Sequence, residues 1–276
     1  MPTSVKVNRG ARVVADGVET RYHSAGDGPP LVLLHGSGPG VSSWSNWGAS
    51  IPALAQRFRV VAIDMVGFGE TERPDGLRYG SKTWTDHVVA VLEALNIGAA
   101  NFIGNSLGGT VTLHVARRFP ERVHRFVLMG TRLMTPDAPM TPALHAVRDY
   151  EPSLDNMRDL LRMFAYDPLI VSDELVAQRY EASVGPGVHV TYRAMFHEAD
   201  RRGNDYPMTE SDVRSIQAPA LLLHGRDDCV IPPEEAWKLL HLLPEAELHI
   251  LPKCGHWLQI EAASRFNDIV TEFLLR

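Results

Sequence analysis

Cysteine is scarce in this sequence, with only Cys229 and Cys254 among 276 residues. Their number and spacing exclude a disulfide framework and a cysteine-based metal site. No apolar run approaches the roughly 18 residues that a transmembrane helix needs. The first six residues also lack the apolar segment of a signal peptide. We therefore expect a cytoplasmic protein that does not bind membranes.

Long runs of like charge are missing as well. Lys and Arg together number 27 against 33 Asp and Glu, which gives a net charge of −6. This balance argues against nucleic acid or an anionic membrane as a partner. The hydrophobic fraction of 45% excludes a disordered chain. The length predicts one large domain, or one domain that carries an insertion.

Short apolar runs alternate with amphipathic stretches in the first half of the chain. The stretches 44–58 and 86–95 carry apolar residues at helical spacing. This alternation predicts right-handed βαβ units and a mostly parallel sheet, which is the α/β class. The apolar runs are typical of strands buried on both faces, and they are 31–34, 60–63, 101–103 and 126–129.

The pattern changes after Gly130. Residues 133–208 are rich in Pro, Met and charge, and they predict helices but no buried strand. Strand patterns return at 220–223 and 247–251, with helical patterns at 234–243 and 260–275. We therefore predict a core formed by residues 1–132 and 209–276, with a helical lid at 133–208.

A Gly-x-Ser-x-Gly-Gly motif at 104–109 follows the predicted strand at 101–103 and precedes a helical pattern at 110–119. This is the setting of a nucleophile elbow, a sharp turn that lifts the hydroxyl of Ser106 above the sheet. The N–H of Leu107 would then face developing negative charge at a helix N-terminus. The alternative is a glycine-rich turn with an incidental serine.

A serine nucleophile needs a base, and the base needs an acid that orients it. Asp227 and Asp228 follow the predicted strand at 220–223, and His256 follows the strand at 247–251. This gives the chain order Ser, acid, His of a hydrolase triad. Spacing alone leaves the choice between the adjacent aspartates open. A purely structural histidine is the alternative for His256.

The glycine-rich loop at 35–40 follows the first apolar run, where such hydrolases place their second oxyanion donor. A backbone N–H near Ser37 or Gly38 would supply this donor. Phosphate binding is disfavoured, because the loop has neither the lysine of a P-loop nor a Gly-x-Gly-x-x-Gly pattern.

Together these motifs resemble the α/β-hydrolase superfamily. The runs His-Gly-Ser-Gly-Pro-Gly, Gly-Asn-Ser-Leu-Gly-Gly and Cys-Gly-His-Trp resemble, within it, the meta-cleavage product hydrolases. The resemblance implies an eight-stranded, mostly parallel sheet flanked by helices, with the lid inserted after the sixth strand. It also implies hydrolysis of a C–C bond in 2-hydroxy-6-oxohexa-2,4-dienoates, the meta-cleavage products of aromatic degradation. The products would be 2-hydroxypenta-2,4-dienoate and a carboxylic acid, and neither a cofactor nor a metal would be required.

The resemblance assigns Ser106, His256 and Asp228 to the triad, which favours Asp228 over Asp227, and it assigns the oxyanion N–H groups to Ser37 and Leu107. Arg179 would suit a substrate carboxylate. Relatives imply a homo-oligomer, a dimer or larger. The positions that match substrate contacts in the family are Gly36, Gly38, Asn46, Asn105, Phe164, Arg179, Ile231 and Trp257.

Several alternatives stay open at this point. Arg179 could be a solvated arginine paired with Glu181 or Asp173, Trp257 a core aromatic, and Asn46 a helix cap. The protein could be a carboxylesterase or thioesterase with the same triad, or a non-catalytic ligand-binding module. Haloalkane dehalogenase and epoxide hydrolase chemistry is disfavoured, because those enzymes carry Asp at the position of Ser106. The group on C6 of the substrate, alkyl or phenyl, is undetermined.

Overall fold

A single eight-stranded sheet organises the computed structural model, which describes residues 7–133, 140–196, 205–206 and 208–276. The strand order is β1-β2-β4-β3-β5-β6-β7-β8. The strands are β1 (Val7–Ala15), β2 (Val18–Ala25), β3 (Pro30–Leu34), β4 (Arg59–Ile63), β5 (Ala100–Asn105), β6 (Val123–Met129), β7 (Ala220–Gly225) and β8 (Ala246–Leu251).

The pairing is parallel from β4 through β8 and antiparallel at the β1–β2–β4 edge. The predicted mostly parallel sheet is therefore confirmed, as are its central strands. In β3, residues 31–34 are fully buried, as expected for a strand covered on both faces. The patterns did not predict β1 and β2, because β1 is mixed in polarity and largely exposed along its length.

Helices cover both faces of the sheet. Residues 44–58, predicted as one helical stretch, form two short helices instead, because Gly48 ends the first and Pro52 lies at the start of the second. The helices are α1 (Ser43–Trp47), α2 (Ile51–Leu54), α3 (Ser81–Ala94), α4 (Leu107–Arg118), α5 (Pro142–Arg148), α6 (Leu154–Phe164), α7 (Asp173–Ser183) and α8 (Val188–Phe196), followed by Glu210–Arg214, Pro233–Leu242, Leu258–Glu261 and Ala263–Leu274.

Two apolar cores lie on opposite faces of the sheet. One contains the buried sides of α3 and α4, including Val88 and Val111. The other contains Trp47 and Phe266, whose rings stack with centroids 6.2 Å apart. Each fully buried side chain of this size contributes about 1.5–3 kcal/mol to folding. The two cores hold the sheet rigid, so its carboxyl edge is a fixed platform for the loops above it.

The connection between β6 and β7 includes α5 to α8 and the helix Glu210–Arg214, and the residues described there contain no strand. A third apolar cluster includes Met157 and Leu161 of this connection. It also contains Val230 and Trp257, which follow the carboxyl ends of β7 and β8. The parts of the predicted lid at 134–139, 197–204 and 207, and the part of the predicted core at 1–6, lie outside the described residues. Within the described chain, no helix is long and apolar enough to cross a bilayer.

Candidate active site

Ser106 lies in a sharp turn between β5 and α4. Its backbone has φ 53° and ψ −115°, a conformation that costs of order 1–3 kcal/mol for a residue with a side chain. The Ser106 N–H donates to the carbonyl of Met129 at 2.8 Å, and its carbonyl accepts from the N–H of Thr110 at 3.1 Å. A Cβ on Gly104 or Gly108 would overlap neighbouring backbone. The two glycines therefore permit the tight packing that holds Ser106 in this strained position.

Asp228 and His256 meet above the ends of β7 and β8. Oδ2 of Asp228 lies 2.8 Å from Nδ1 of His256, and both side chains are buried. Oδ1 of Asp228 accepts from the N–H groups of Val230 at 2.7 Å and Ile231 at 3.0 Å. This fixes the carboxylate, so the Nδ1–H of His256 can donate to it while Nε2 stays available for a proton.

Asp227 faces away from this pair. Its carboxylate accepts from the N–H of Lys253 at 2.9 Å and lies 3.7 Å from Nε of Arg226. The structure thus separates the two adjacent aspartates that spacing alone left equivalent, and it brings Asp228 to His256.

A second histidine, which the sequence patterns did not single out, supports the same carboxylate. His224 is buried at the end of β7, where Nε2 lies 2.8 Å from the carbonyl of Ile231 and 3.5 Å from Oδ2 of Asp228. Burial lowers the pKa of His224, so the ring is neutral at neutral pH. Burial alone would raise the pKa of Asp228, but the charge and hydrogen bond of His256, with His224 and the Ile231 N–H, bring it below its ordinary value. Asp228 is therefore ionised at neutral pH.

The loop after β3 approaches Ser106 closely. A Cβ added at Gly36 would lie 3.4 Å from Cβ of Ser106. His35 fixes this loop from beneath: Nδ1 lies 2.6 Å from the Gly36 carbonyl, and Nε2 accepts from the N–H of Met65 at 3.1 Å. Ser37 lines the same cavity as Ser106. Leu107 is the first residue of α4, and the first N–H groups of a helix have no partner within it.

Arg179 projects from α7 into this cavity and is only 6% exposed. Its Nε and Nη2 donate to the carbonyl of Pro39 at 3.2 and 2.8 Å. No ion pair joins it to a carboxylate within the described residues, since Asp173 pairs with Arg158 at 2.5 Å instead. Burial lowers the pKa of Arg179 to about 10, although the nearby Tyr192 and Tyr150 raise it. The guanidinium is therefore a buried cation at neutral pH whose remaining donors face the cavity.

Two asparagines line the cavity beside it. Oδ1 of Asn46 lies 3.5 Å from the Gly36 N–H, and its buried Nδ2 has no partner among the described residues. Asn46 is not a helix cap, because Ser42 caps α1 and Asn46 lies within the helix. Asn105 donates to the carbonyl of Met129 at 3.4 Å.

The rest of the cavity wall is apolar. Phe164 and Trp257 pack edge to face with ring centroids 5.4 Å apart, and Gly38 lies beside Phe164 and Arg179. Sequence reasoning missed further wall residues, because a single aliphatic side chain on an amphipathic helix or in a loop carries no signal of its own; they are Val41, Leu144, Val147 and Val230.

Ile231 lies beside Asp228. Its N–H donates to Asp228, its carbonyl lies 2.8 Å from Nε2 of His224, and its side chain packs in the apolar cluster that includes residues of the lid helices. The adjacent Val230 lines the cavity, and Ile231 is not among the residues that line it. The contact of Ile231 with the substrate stays a prediction.

A further feature of the site is the arrangement of the side chains that could bind a metal ion. Within the described part of the chain, no group of three or more His, Cys, Asp or Glu side chains is arranged to hold a metal ion. Ser106 and His256 line the cavity and Asp228 contacts His256, and these residue types are typical of acyl-transfer chemistry.

Comparison with known proteins agrees with this geometry. Residues 29–167 and 187–263 match the α/β-hydrolase fold family. A 2-hydroxy-6-oxo-2,4-heptadienoate hydrolase of Pseudomonas putida is 45% identical over 99% of this chain and 98% of its own. A 2-hydroxymuconate semialdehyde hydrolase of Pseudomonas sp. strain CF600 is 44% identical over 96% of this chain and 93% of its own.

A solved structure makes the same link. A meta-cleavage product hydrolase from Pseudomonas fluorescens IP01 superposes with a TM-score of 0.91 at 44% identity, covering 96% of this chain and 97% of that one. By sequence and by structure, this chain belongs to the α/β-hydrolase fold family and, within it, to the meta-cleavage product hydrolases.

Proposed function

We propose that this protein is a serine hydrolase that cleaves the C5–C6 bond of 2-hydroxy-6-oxohexa-2,4-dienoates. One water is added, and the products are 2-hydroxypenta-2,4-dienoate and a carboxylic acid. The observation that carries the proposal is Arg179, a buried cation without a carboxylate partner among the described residues, which lines the same cavity as Ser106 and His256. A simple esterase has no need for a buried positive charge beside its nucleophile.

The carboxylate end of the substrate binds at Arg179. A guanidinium suits a planar carboxylate because it donates two parallel hydrogen bonds. The unpartnered Nδ2 of Asn46 supplies a further donor for the neighbouring 2-oxygen, and Asn105 lies on the same side of the cavity. In this proposed binding mode the C6 carbonyl lies near Ser106.

The first chemical step is ketonisation of the dienol. The proton of the 2-hydroxyl group is lost and a proton is gained at C5, which leaves a ketone at C2. The buried charge of Arg179 stabilises the enolate that forms on the way. The C2 ketone then acts as an electron sink for the bond that breaks.

The second step is attack of the Ser106 oxygen on C6. His256 takes the serine proton, and Asp228 stabilises the resulting imidazolium. The N–H groups of Leu107 and Ser37 hold the oxyanion, a role whose loss typically costs about 10²–10³-fold in turnover. Breaking C5–C6 returns the electron pair to the C2 oxygen, which takes the proton from His256, and leaves an acyl group on Ser106. His256 then activates the water that releases the carboxylic acid.

The group attached to C6 lies against the apolar wall. Phe164, Leu144, Val147 and Val230 supply this surface, three of them from helices of the proposed lid at 133–208. Rates with hydrogen, methyl, isopropyl and phenyl at C6 would define the preferred substituent. A steep fall in rate from the methyl to the phenyl substrate would indicate a narrow cavity, because closely packed aliphatic side chains cannot easily move.

The decisive experiment measures release of the carboxylic acid, because ketonisation alone also removes the yellow dienoate's absorbance and does not need Ser106. Ser106→Ala should reduce this release by at least about 10³-fold while the far-ultraviolet circular dichroism stays that of the wild type. Release of the acid by Ser106→Ala at the wild-type rate would refute the mechanism. A wild-type enzyme that hydrolyses p-nitrophenyl esters much faster than any dienoate would instead identify a carboxylesterase.

Two further features belong to the proposal. The free thiols Cys229 and Cys254 fit the reducing cytoplasm, which we propose as the site of action. We also propose that the protein is a homo-oligomer, in line with its family. Light scattering coupled to size exclusion tests this, and a mass of one chain would refute it.

A further inference from the structure

Glu261 lies outside the cavity, yet its carboxylate joins two segments that meet behind His256. Oε1 accepts from the N–H of Gly255 at 2.9 Å. Oε2 accepts from the N–H of Tyr166 at 2.7 Å and, at a longer 3.4 Å, from the N–H of Asp167. One carboxylate therefore collects three backbone donors from two distant parts of the chain.

These two segments are central to the site. Gly255 immediately precedes His256, and Tyr166 follows the end of α6, where Phe164 lines the cavity. The segments also bond directly, since the N–H of His256 donates to the carbonyl of Phe164 at 2.7 Å. A Cβ on Gly255 would lie 2.7 Å from that carbonyl oxygen, so the two segments leave no room for a side chain at this position. The hydrogen bonds of Glu261 hold the same two segments together.

The side chain type matches its partners. Both oxygens of a carboxylate accept hydrogen bonds, whereas an amide would keep one acceptor oxygen and turn its NH2 group toward a backbone N–H donor. Glu261 forms no ion pair with a basic side chain among the described residues, so its oxygens serve these backbone groups alone. Hydrogen bonds to a charged acceptor are stronger than neutral ones, which suits a fixed junction.

We propose that Glu261 is a positioning residue that holds the backbone of His256 and ties its placement to the end of lid helix α6. The inference rests on the proposed roles of Ser106 and His256. A displacement of about 1 Å in a reacting group can cost about 100-fold in rate. A weaker junction therefore misplaces the base without changing any group that touches the substrate.

The test measures how fast a fluorophosphonate probe labels Ser106, because labelling reports activation of the serine whatever the natural substrate is. Glu261→Gln should slow labelling by about 10- to 100-fold. Glu261→Asp keeps the charge on a shorter side chain, and its labelling rate should lie between those of Glu261→Gln and the wild type. The matched control is Glu272→Gln, since Glu272 contacts Arg276 at 3.0 Å on the exposed face of the last helix and should label at the wild-type rate.

A second readout separates positioning from stability. For the dienoate, kcat of Glu261→Gln should fall at least about 10-fold while KM stays within about twofold, because Glu261 does not contact Arg179, to which we assign the substrate carboxylate. Labelling at the wild-type rate by a folded Glu261→Gln, even one that melts earlier, would overturn the inference. If only Glu261→Asp folds, a wild-type rate for that variant overturns it.

The outcomes also distinguish this inference from the proposed function. In one outcome the wild type does not hydrolyse the dienoate, while the probe still labels Glu261→Gln more slowly than the wild type. This result would refute the proposed substrate and support the positioning role. A wild type that the probe does not label would refute the triad, and the positioning role with it.

Discussion

At the scale of single residues, Arg179 is the side chain whose surroundings are hardest to explain by folding alone. Removing a cation from water costs several kcal/mol unless a partner compensates. Here the compensation is one backbone carbonyl, that of Pro39, and no carboxylate among the described residues. A buried, incompletely paired charge beside a nucleophile is a cost that binding of an anionic substrate would offset. The same argument separates Arg179 from Arg158, whose exposed pair with Asp173 contributes little.

The first prediction follows from this contrast. Arg179→Gln should raise KM for the dienoate by about 10- to 100-fold, because a hydrogen bond to a charged group is worth about 1.5–3 kcal/mol. Steady-state kinetics on the dienoate measures it. Arg158→Gln, also in the region of the lid helices, is the control and should keep the wild-type KM. Equal KM values for wild type and Arg179→Gln would show that the carboxylate binds elsewhere.

At the scale of elements, sequence patterns predicted the central strands because complete burial leaves a continuous apolar run, as in residues 31–34. They did not predict β1, whose polar and apolar residues follow no strict alternation. Chain order could place the proposed triad, because its members each follow a strand, but it could not choose between Asp227 and Asp228. The wall residue Val147 could not be placed, since its position depends on how the lid helices pack on the core.

The second prediction concerns the end of β6. Gly130 has φ +49°, and a Cβ there would lie 2.7 Å from Nδ1 of His256 and 3.2 Å from Oδ2 of Asp228. Gly130→Ala should therefore reduce kcat by at least about 10-fold by disturbing the acid–base pair. Gly17→Ala is the matched control: it has φ +78° and no atom within 4 Å. Both variants should lose about 1–2 kcal/mol of folding free energy from the left-handed backbone, but only Gly130→Ala should lose activity.

At the scale of the whole molecule, buried neutral histidines make the fold sensitive to acid. His87 lies 2.8 Å from Oγ1 of Thr20, and its other ring nitrogen accepts from the N–H of Val66 at 3.3 Å. Burial lowers the pKa of His87 and of His114 to about 4. The unfolded chain binds protons at these sites from about pH 6.5 downward, while the folded chain does not. Their contribution to stability is thus complete above pH 6.5 and is lost as the pH falls toward 4.

The third prediction gives this effect a size. Each of the two histidines should remove about 2–3 kcal/mol from the free energy of unfolding between pH 7 and pH 4.5. Denaturant titrations at the two pH values measure the difference. In His114→Leu this difference should shrink by about 2–3 kcal/mol, because one of the two titrating sites is gone. A difference unchanged by His114→Leu would mean that this histidine binds its proton over the same pH range in the folded protein as in the unfolded chain.

The long connection between β6 and β7 has an evolutionary consequence. Because the sheet pairs β6 directly with β7, the core does not depend on how many residues separate them. Doubling the length of a flexible connection costs only about 0.6 kcal/mol of closure entropy. Leu144, Val147 and Phe164 can therefore diverge, with the helices that carry them, while the strands beneath keep their register. Such a molecule can inherit its chemistry from one part of the chain and acquire new substrates through another.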